Sequence, residues 1–233
     1  MVDRNSIKHI NNINMARPAS KHNLARLLFH QNHKRTLRLG VEETQSTQKE
    51  SEMIETERLI LRPWEETDAE AMFKYASDPD IGPIAGWPPH TSVENSREII
   101  RTVFAAPETY AVVLKATGEP VGSCGIMFSD DLHSADMKQN EAEMKPREAE
   151  IGYWIGKPYW GQGLIPEAVK ALLARCFNDL HLDAAWCVHY EGNTKSKRVI
   201  EKCGFKFHHT NHGAVSPLGD IRTEHFYVMT KED

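Results

Sequence analysis

The most chemically suggestive stretch is Glu150 to Val169, EIGYWIGKPYWGQGLIPEAV. An apolar strand-like run gives way to Gly161-Gln162-Gly163, and helix-forming residues follow, with Pro166 and Glu167 in the first turn. A helix N-terminus carries backbone N–H groups without intrahelical partners, and glycines before it let an anion approach the main chain. Such a turn can hold a phosphate group without a dedicated lysine. No Gly-Lys-Ser/Thr follows, so it is not a nucleotide-triphosphate P-loop, and Pro166 stands where a dinucleotide fingerprint has its third glycine. In isolation, an ordinary strand-to-helix turn is the favoured reading of the pattern.

Other reactive residue types are less organised. Cys124, Cys176, Cys187 and Cys203 form no CxxC pair and sit among apolar neighbours, so they read as packed thiols of a reducing cytoplasm, with no zinc spacing. His208, His209 and His212 cluster without a metal-ligand spacing. No metal is expected.

The positioning elements follow from hydrophobic periodicity and turn residues. Arg58 to Arg62 reads as a strand closed by Pro63. Thr67 or Asp68 caps a helix carrying Ala71, Met72, Tyr75 and Ala76, and Gly82 to Pro89 reads as a loop. Thr91 or Ser92 starts a second helix, through Phe104. Tyr110–Lys115 and Val121–Phe128 flank Thr117-Gly118-Glu119-Pro120 as a hairpin. Ser129 to Arg147 is a polar excursion. A strand at Glu150–Ile155, a helix from Pro166 to about Asn178, a strand at Ala184–Tyr190 and a helix from Asn193 to Lys202 stopped by Gly204 come next. Strands at Phe205–His209 and Glu224–Thr230 close the chain. The order β-α-α-β-β-β-α-β-α-β-β implies an α/β fold, a mixed sheet with helices on its faces, and not the regular alternation of a Rossmann domain.

Three segments together resemble one family: ETERLILRPW near the start, IGYWIGKPYWGQG in the middle and Asn193-x-x-Ser196-x-Arg-Val-Ile-Glu-Lys-x-Gly204-Phe205. They occur in the order and spacing of the Gcn5-related N-acetyltransferase (GNAT) superfamily. The stretch Ile54–Thr230 is most similar to the RimJ/RimL-like branch, which acetylates ribosomal-protein N-termini. The resemblance implies the acyl-CoA N-acyltransferase fold, in which the central strand splays from its neighbour. The pantetheine arm of acetyl-CoA fills that gap along Tyr153, Trp154 and Ile155. The N–H of Ile155 is then the oxyanion donor, Trp160, Gly161, Gln162, Gly163, Leu164 and Ile165 form the pyrophosphate loop, and Asn193 and Ser196 touch the cofactor arm. Two positions depart from the family pattern. Ile165 replaces a small residue; a larger side chain there can crowd the phosphates, although its N–H remains available. Ile200 replaces a tyrosine that often protonates the leaving thiolate.

The acid and base must therefore come from elsewhere. Glu150, where the central strand starts, is a candidate base, directly or through water; a solvated carboxylate is the competing reading. Ser196 can relay a proton or bond the sulfur, or be a surface hydroxyl. Tyr190 ends the strand before Asn193 and can reach the sulfur, or simply pack. His189 points to the opposite face from Tyr190 and ranks below both. Acceptor contacts are expected from Gly82–Pro89 with Trp87, from Asp130–Glu148 with Glu141, Glu143 and Glu148, and from Gly213–Asp220.

Composition divides the chain. Its 233 residues carry a net charge of −5, but the first fifty hold nine Lys/Arg and four Asp/Glu, a balance of +5, leaving −10 for the rest. Residues 1–52 read as a basic extension and polar linker: a disordered tail or upstream translated stretch, a basic arm touching an RNA-rich partner, or an organelle transit peptide. Residues 53–233 are the expected transferase domain. No apolar run is long enough to span a bilayer, and an acidic domain disfavours nucleic acid. The expected function is acetyl transfer from acetyl-CoA to a protein N-terminal amine in the cytoplasm, with a homodimer left open. A small-molecule amine acceptor and a non-catalytic acyl-CoA-binding regulator are the alternatives.

Overall fold

The computed structural model describes residues 53–128 and 147–233. The basic extension, Glu141, Glu143 and most of the acidic excursion lie outside the described residues. In chain order the elements are β1 (Ile54–Glu55), β2 (Leu59–Arg62), a 3-10 turn (Glu66–Asp68), α1 (Ala69–Ala76), α2 (Gly82–Ala85), α3 (Val93–Thr102), β3 (Thr109–Leu114) and β4 (Pro120–Phe128). There follow β5 (Glu148–Ile155), α4 (Leu164–Ala174), β6 (Ala184–Tyr190), α5 (Thr194–Lys202), β7 (Lys206–Val215) and β8 (Ile221–Thr230).

Local chemistry sets the helix ends. Ser92 accepts the N–H of Asn95 at 3.0 Å and starts α3, while Asn193 accepts the N–H of Ser196 at 3.1 Å and starts α5, both as side-chain caps do. Asp68 closes the 3-10 turn onto Glu65 and pairs with Arg62 at 2.6 Å. The expected loop at Gly82–Pro89 is corrected at Gly82–Ala85, which forms a helical turn. Pro83 is tolerated in its first turn, and Gly86, at φ 92°, ends it in the left-handed region. The helix expected to reach Asn178 is α-helical only to Ala174 and continues as a π-turn, Arg175–Asp179. That turn carries Arg175 to the buried Glu108 at 2.9 Å.

The eight strands form one sheet in the order β1-β2-β3-β4-β5-β6-β8-β7. Every neighbouring pair is antiparallel except β5 and β6. Alternation divides the side chains between two faces. Leu59, Leu61, Val112, Ile151 and Ile155 pack with Leu164, Leu172 and Ile200 from α4 and α5. On the other face Trp64, Ala111 and Val113 pack with Met72 of α1 and Ile100 of α3. Helices therefore brace both sides of the strands that meet at β5.

Candidate active site

The parallel ladder between β5 and β6 comprises three pairs, Glu148 with Ala184, Ala149 with Ala185 and Glu150 with Trp186. Beyond Glu150 the strands separate, although β5 stays paired with β4 through Ile155. The N–H of Gly156 donates to Val121 of β4 at 2.8 Å. By alternation the N–H of Ile155 faces the other way, into the gap between β5 and β6. The Cys187 thiol donates to the Ile151 carbonyl at 3.3 Å, and the Trp160 indole N–H donates to the Ile155 carbonyl at 3.0 Å. The cleft is thus lined by main chain whose carbonyls are partly engaged and whose Ile155 donor remains directed into it.

The glycine turn stands at the end of this cleft. Gly161 and Gly163 have φ of 78° and 77°, conformations a side chain at either position would strain. A Cβ on Gly161 would meet nothing within 4 Å, so the turn's outer face is open. Gly163 is the N-cap of α4, and the unpaired N–H groups of the first turn point out of the helix toward the turn. The Ile165 side chain is 5% exposed and sits in the core with Leu164. The Lys195 ammonium lies 3.7 Å from the Trp160 ring centroid, a cation–π contact beside the turn.

On the α5 side of the cleft, the Tyr153 and Ser196 hydroxyls are 2.9 Å apart. Burial raises the Tyr153 phenol well above its ordinary value, so it keeps its proton. The Asn193 cap fixes the Ser196 backbone. On the opposite face lie Glu150, Trp154 and Tyr190. Trp154 is 6.5 Å from Trp64, nearly parallel, and 5.9 Å from Trp87, edge to face. Tyr190 lies under the Arg222 guanidinium, 4.7 Å from its carbon, and a Cβ on Gly86 would come within 3.0 Å of its hydroxyl.

Height along the strands separates these candidates. Ile155 is five residues beyond the last ladder pair, roughly 16 Å at strand rise. Tyr190, four residues beyond Trp186 on β6, stands nearly level with Ile155, whereas Glu150 sits at the closed end, 6% exposed. A proton from the level of Ile155 reaches Glu150 only through bridging groups.

Glu224 was missed by the sequence reading. It is 1% exposed, pairs across the sheet with Tyr190 and accepts from the Asn211 amide at 3.2 Å. The signal was present: Glu224, Phe226 and Val228 alternate along one strand face, which puts an acid among apolar positions.

The histidines meet in two separate pairs, His208 with His209, their Nδ1 atoms 2.8 Å apart, and His189 with His225, their ring centroids 4.9 Å apart. His189 lies on the face opposite Tyr190, its Nδ1 2.9 Å from the Tyr190 carbonyl, and lines a groove of about 680 Å³ with His225, Tyr227 and Glu201 on the far flank of α5 from Ser196. His208 packs on Trp186 and His209 on Phe226, while His212 reaches Thr223 at 3.4 Å. Among the described residues no group of three or more His, Cys, Asp or Glu could hold a metal. Burial raises the thiols of Cys124, Cys176, to about 12, and Cys203, to about 11, so these remain protonated and unreactive at neutral pH.

The splayed parallel pair is thus followed by a glycine turn at the N-terminus of α4. Residues 58–206 match the family model described as an acetyltransferase (GNAT) domain. The chain belongs to the GNAT acetyltransferase family. An uncharacterized N-acetyltransferase, p20 of Bacillus licheniformis, is 29% identical over 160 residues, 66% of this chain and 83% of its own length. Among solved structures, the ribosomal-protein-S5-alanine acetyltransferase of Vibrio fischeri superposes with a TM-score of 0.57 at 18% identity, covering 78% of this chain and 97% of that one. The microcin C7 self-immunity acetyltransferase MccE, solved with acetyl-CoA and AMP, gives 0.58 at 18% identity over 75% and 93%. These two show a shared GNAT fold. The sheet, which among the described residues has eight strands and a single parallel pair, with helices on both faces, is that fold. Among the described residues no helix is long and apolar enough to cross a membrane.

Proposed function

We propose that this GNAT enzyme transfers acetyl from acetyl-CoA to a protein N-terminal amine, as RimJ/RimL-like enzymes do, and acts in the cytoplasm. The carrying observation is the β5–β6 splay, which turns the Ile155 N–H into a cleft continuous with the N-terminus of α4. The acyl donor is a co-substrate; MccE, of the same fold, was solved with it.

In this reading the neutral amine attacks the thioester carbon, and the Ile155 N–H stabilises the carbonyl oxygen as it becomes an oxyanion. The C–S bond breaks, and a proton from water reaches the thiolate through Ser196, which gives one proton to the sulfur and takes one from the water in the same step, with Tyr153 as its hydrogen-bond partner. The amine's surplus proton passes along the acceptor face, through water, to Glu150. An α-amino group, with an unperturbed pKa of about 8, needs less help to be neutral than a lysine at about 10.4. The acceptor face carries two buried carboxylates, Glu150 and Glu224, which suits a cationic acceptor. Residues 53–233 are proposed as the transferase domain and 1–52 as a separate extension.

Incubation with acetyl-CoA and a peptide that carries both a free N-terminus and a lysine, followed by mass-spectrometric mapping, tests the acceptor. Acetylation at the α-amine is expected; acetylation confined to lysine would reject it. A small-molecule amine is the second reading, favoured by the Arg222 hydrogen bond to the Pro83 carbonyl at 2.8 Å, which ties α2 to β8 over Tyr190 and narrows that face. A polyamine acetylated in preference to every peptide would support it.

A further inference from the structure

The opening segment Glu55-Thr56-Glu57-Arg58 supplies nothing to the acyl-transfer scheme, yet it is bonded directly to the glycine turn. The Arg58 Nη1 donates to the Gln162 carbonyl at 2.9 Å, and its Nε donates to Glu167 Oε2 at 2.7 Å. The Arg58 backbone N–H donates to the other carboxylate oxygen, Oε1, at 2.8 Å, and the Thr56 hydroxyl donates to that same oxygen at 2.6 Å. The guanidinium also underlies Gly163, its Nη2 3.7 Å from the place a Cβ would take. The Arg58 side chain is 44% exposed, and an ion pair this open adds little to stability.

Its geometry serves the turn instead. In a planar trans peptide the carbonyl of one residue and the N–H of the next point in opposite directions. Holding the Gln162 carbonyl therefore fixes where the Gly163 N–H points, away from Arg58 and toward the open side. Glu167, in the first turn of α4, is a negative charge beside a site meant for an anion, and Arg58 offsets it.

We propose that Arg58 is a positioning residue for the diphosphate of the acyl donor, orienting the Gln162–Gly163 peptide and neutralising Glu167. The proposal rests on the acetyl-CoA reading above. It concerns only the diphosphate end of the ligand, so it predicts a selective loss. Arg58→Gln should weaken CoA binding, read by calorimetry, about tenfold, as for loss of charged hydrogen bonds. It should leave binding of pantetheine, which has no diphosphate and is followed by NMR, unchanged within about twofold. Arg58→Gln/Glu167→Gln should recover part of the CoA loss, because the uncompensated carboxylate is gone. Arg58→Lys, which keeps the charge but cannot span both acceptors, should fall between wild type and Arg58→Gln, and it carries the test if Arg58→Gln does not fold. Equal losses for CoA and pantetheine, or no loss for CoA, would overturn the proposal. Failure of the wild type to bind CoA would instead overturn the acetyl-CoA reading.

Discussion

In the proposed scheme the leaving thiolate regains a proton through Ser196, whose hydroxyl lies 2.9 Å from that of Tyr153, since the tyrosine found elsewhere in the family is Ile200 here. Ser196→Ala should lower kcat about a hundredfold and leave KM for acetyl-CoA nearly unchanged, because the Asn193 cap bonds the Ser196 backbone and not its hydroxyl; steady-state kinetics with varied acetyl-CoA checks this. Glu150→Gln should lower kcat at pH 7 about a hundredfold, with the deficit shrinking as pH rises and the acceptor amine loses its own proton. An unchanged pH–rate profile would remove Glu150 from the proton route. His90 governs a different pH response. Burial lowers its pKa to about 4 from an ordinary 6.5, and its Nδ1 lies 2.8 Å from the Ser96 hydroxyl. Between those values the unfolded chain binds the proton that the folded one refuses, so this contribution is present above pH 6.5 and lost as pH falls toward 4. Thermal melts should show that decline, and His90→Gln should flatten it.

At the scale of elements, α4 has two roles: its N-terminus forms the proposed anion site, and the turn that continues it ties Arg175 to Glu108. Arg175 and Glu108 form a nearly buried pair at 2.9 Å, and Tyr110 also donates to Glu108 at 2.6 Å. Arg175→Met would leave that carboxylate buried without its cation, and should cost about 3 kcal/mol, read as a lower urea midpoint. Gly163→Ala, forced to a φ of 77°, should cost about 1 kcal/mol of stability and weaken CoA binding as well. These elements differ in how readable they were. Strand β6 and helix α5 were legible to within a residue, because Asn193 is a side-chain cap and Gly204 a stop signal. Strand β7 was not: Asn211, His212 and Gly213 disguise an edge strand that faces solvent for much of its length. The π-turn at Arg175–Asp179 depends on a partner 67 residues away, and no local pattern encodes it.

At the scale of the whole molecule, the proposed site depends on one topological fact: among the described residues, a single parallel pair inside an otherwise antiparallel sheet, zipped for three residues and then open. Motifs in the sequence pointed to Ile155, the glycine turn, Asn193 and Ser196 because each is marked by nearby residues. They could not give the relative height of Glu150 and Tyr190 or the burial of Glu224, which follow from the register between strands far apart in sequence. Within the described residues, the proposed acceptor face carries Glu150 and Glu224, and Lys195 and Arg58 border the glycine turn. All of these features converge on acetyl transfer to an amine, and thiol release tests that most directly. The protein should be mixed with acetyl-CoA and a peptide bearing a free N-terminus, the same peptide N-acetylated, or spermidine, and free CoA thiol followed over time. Release with the free-N-terminal peptide, well above that with its blocked twin, is the predicted result; no release with any amine would contradict acetyl transfer by this protein.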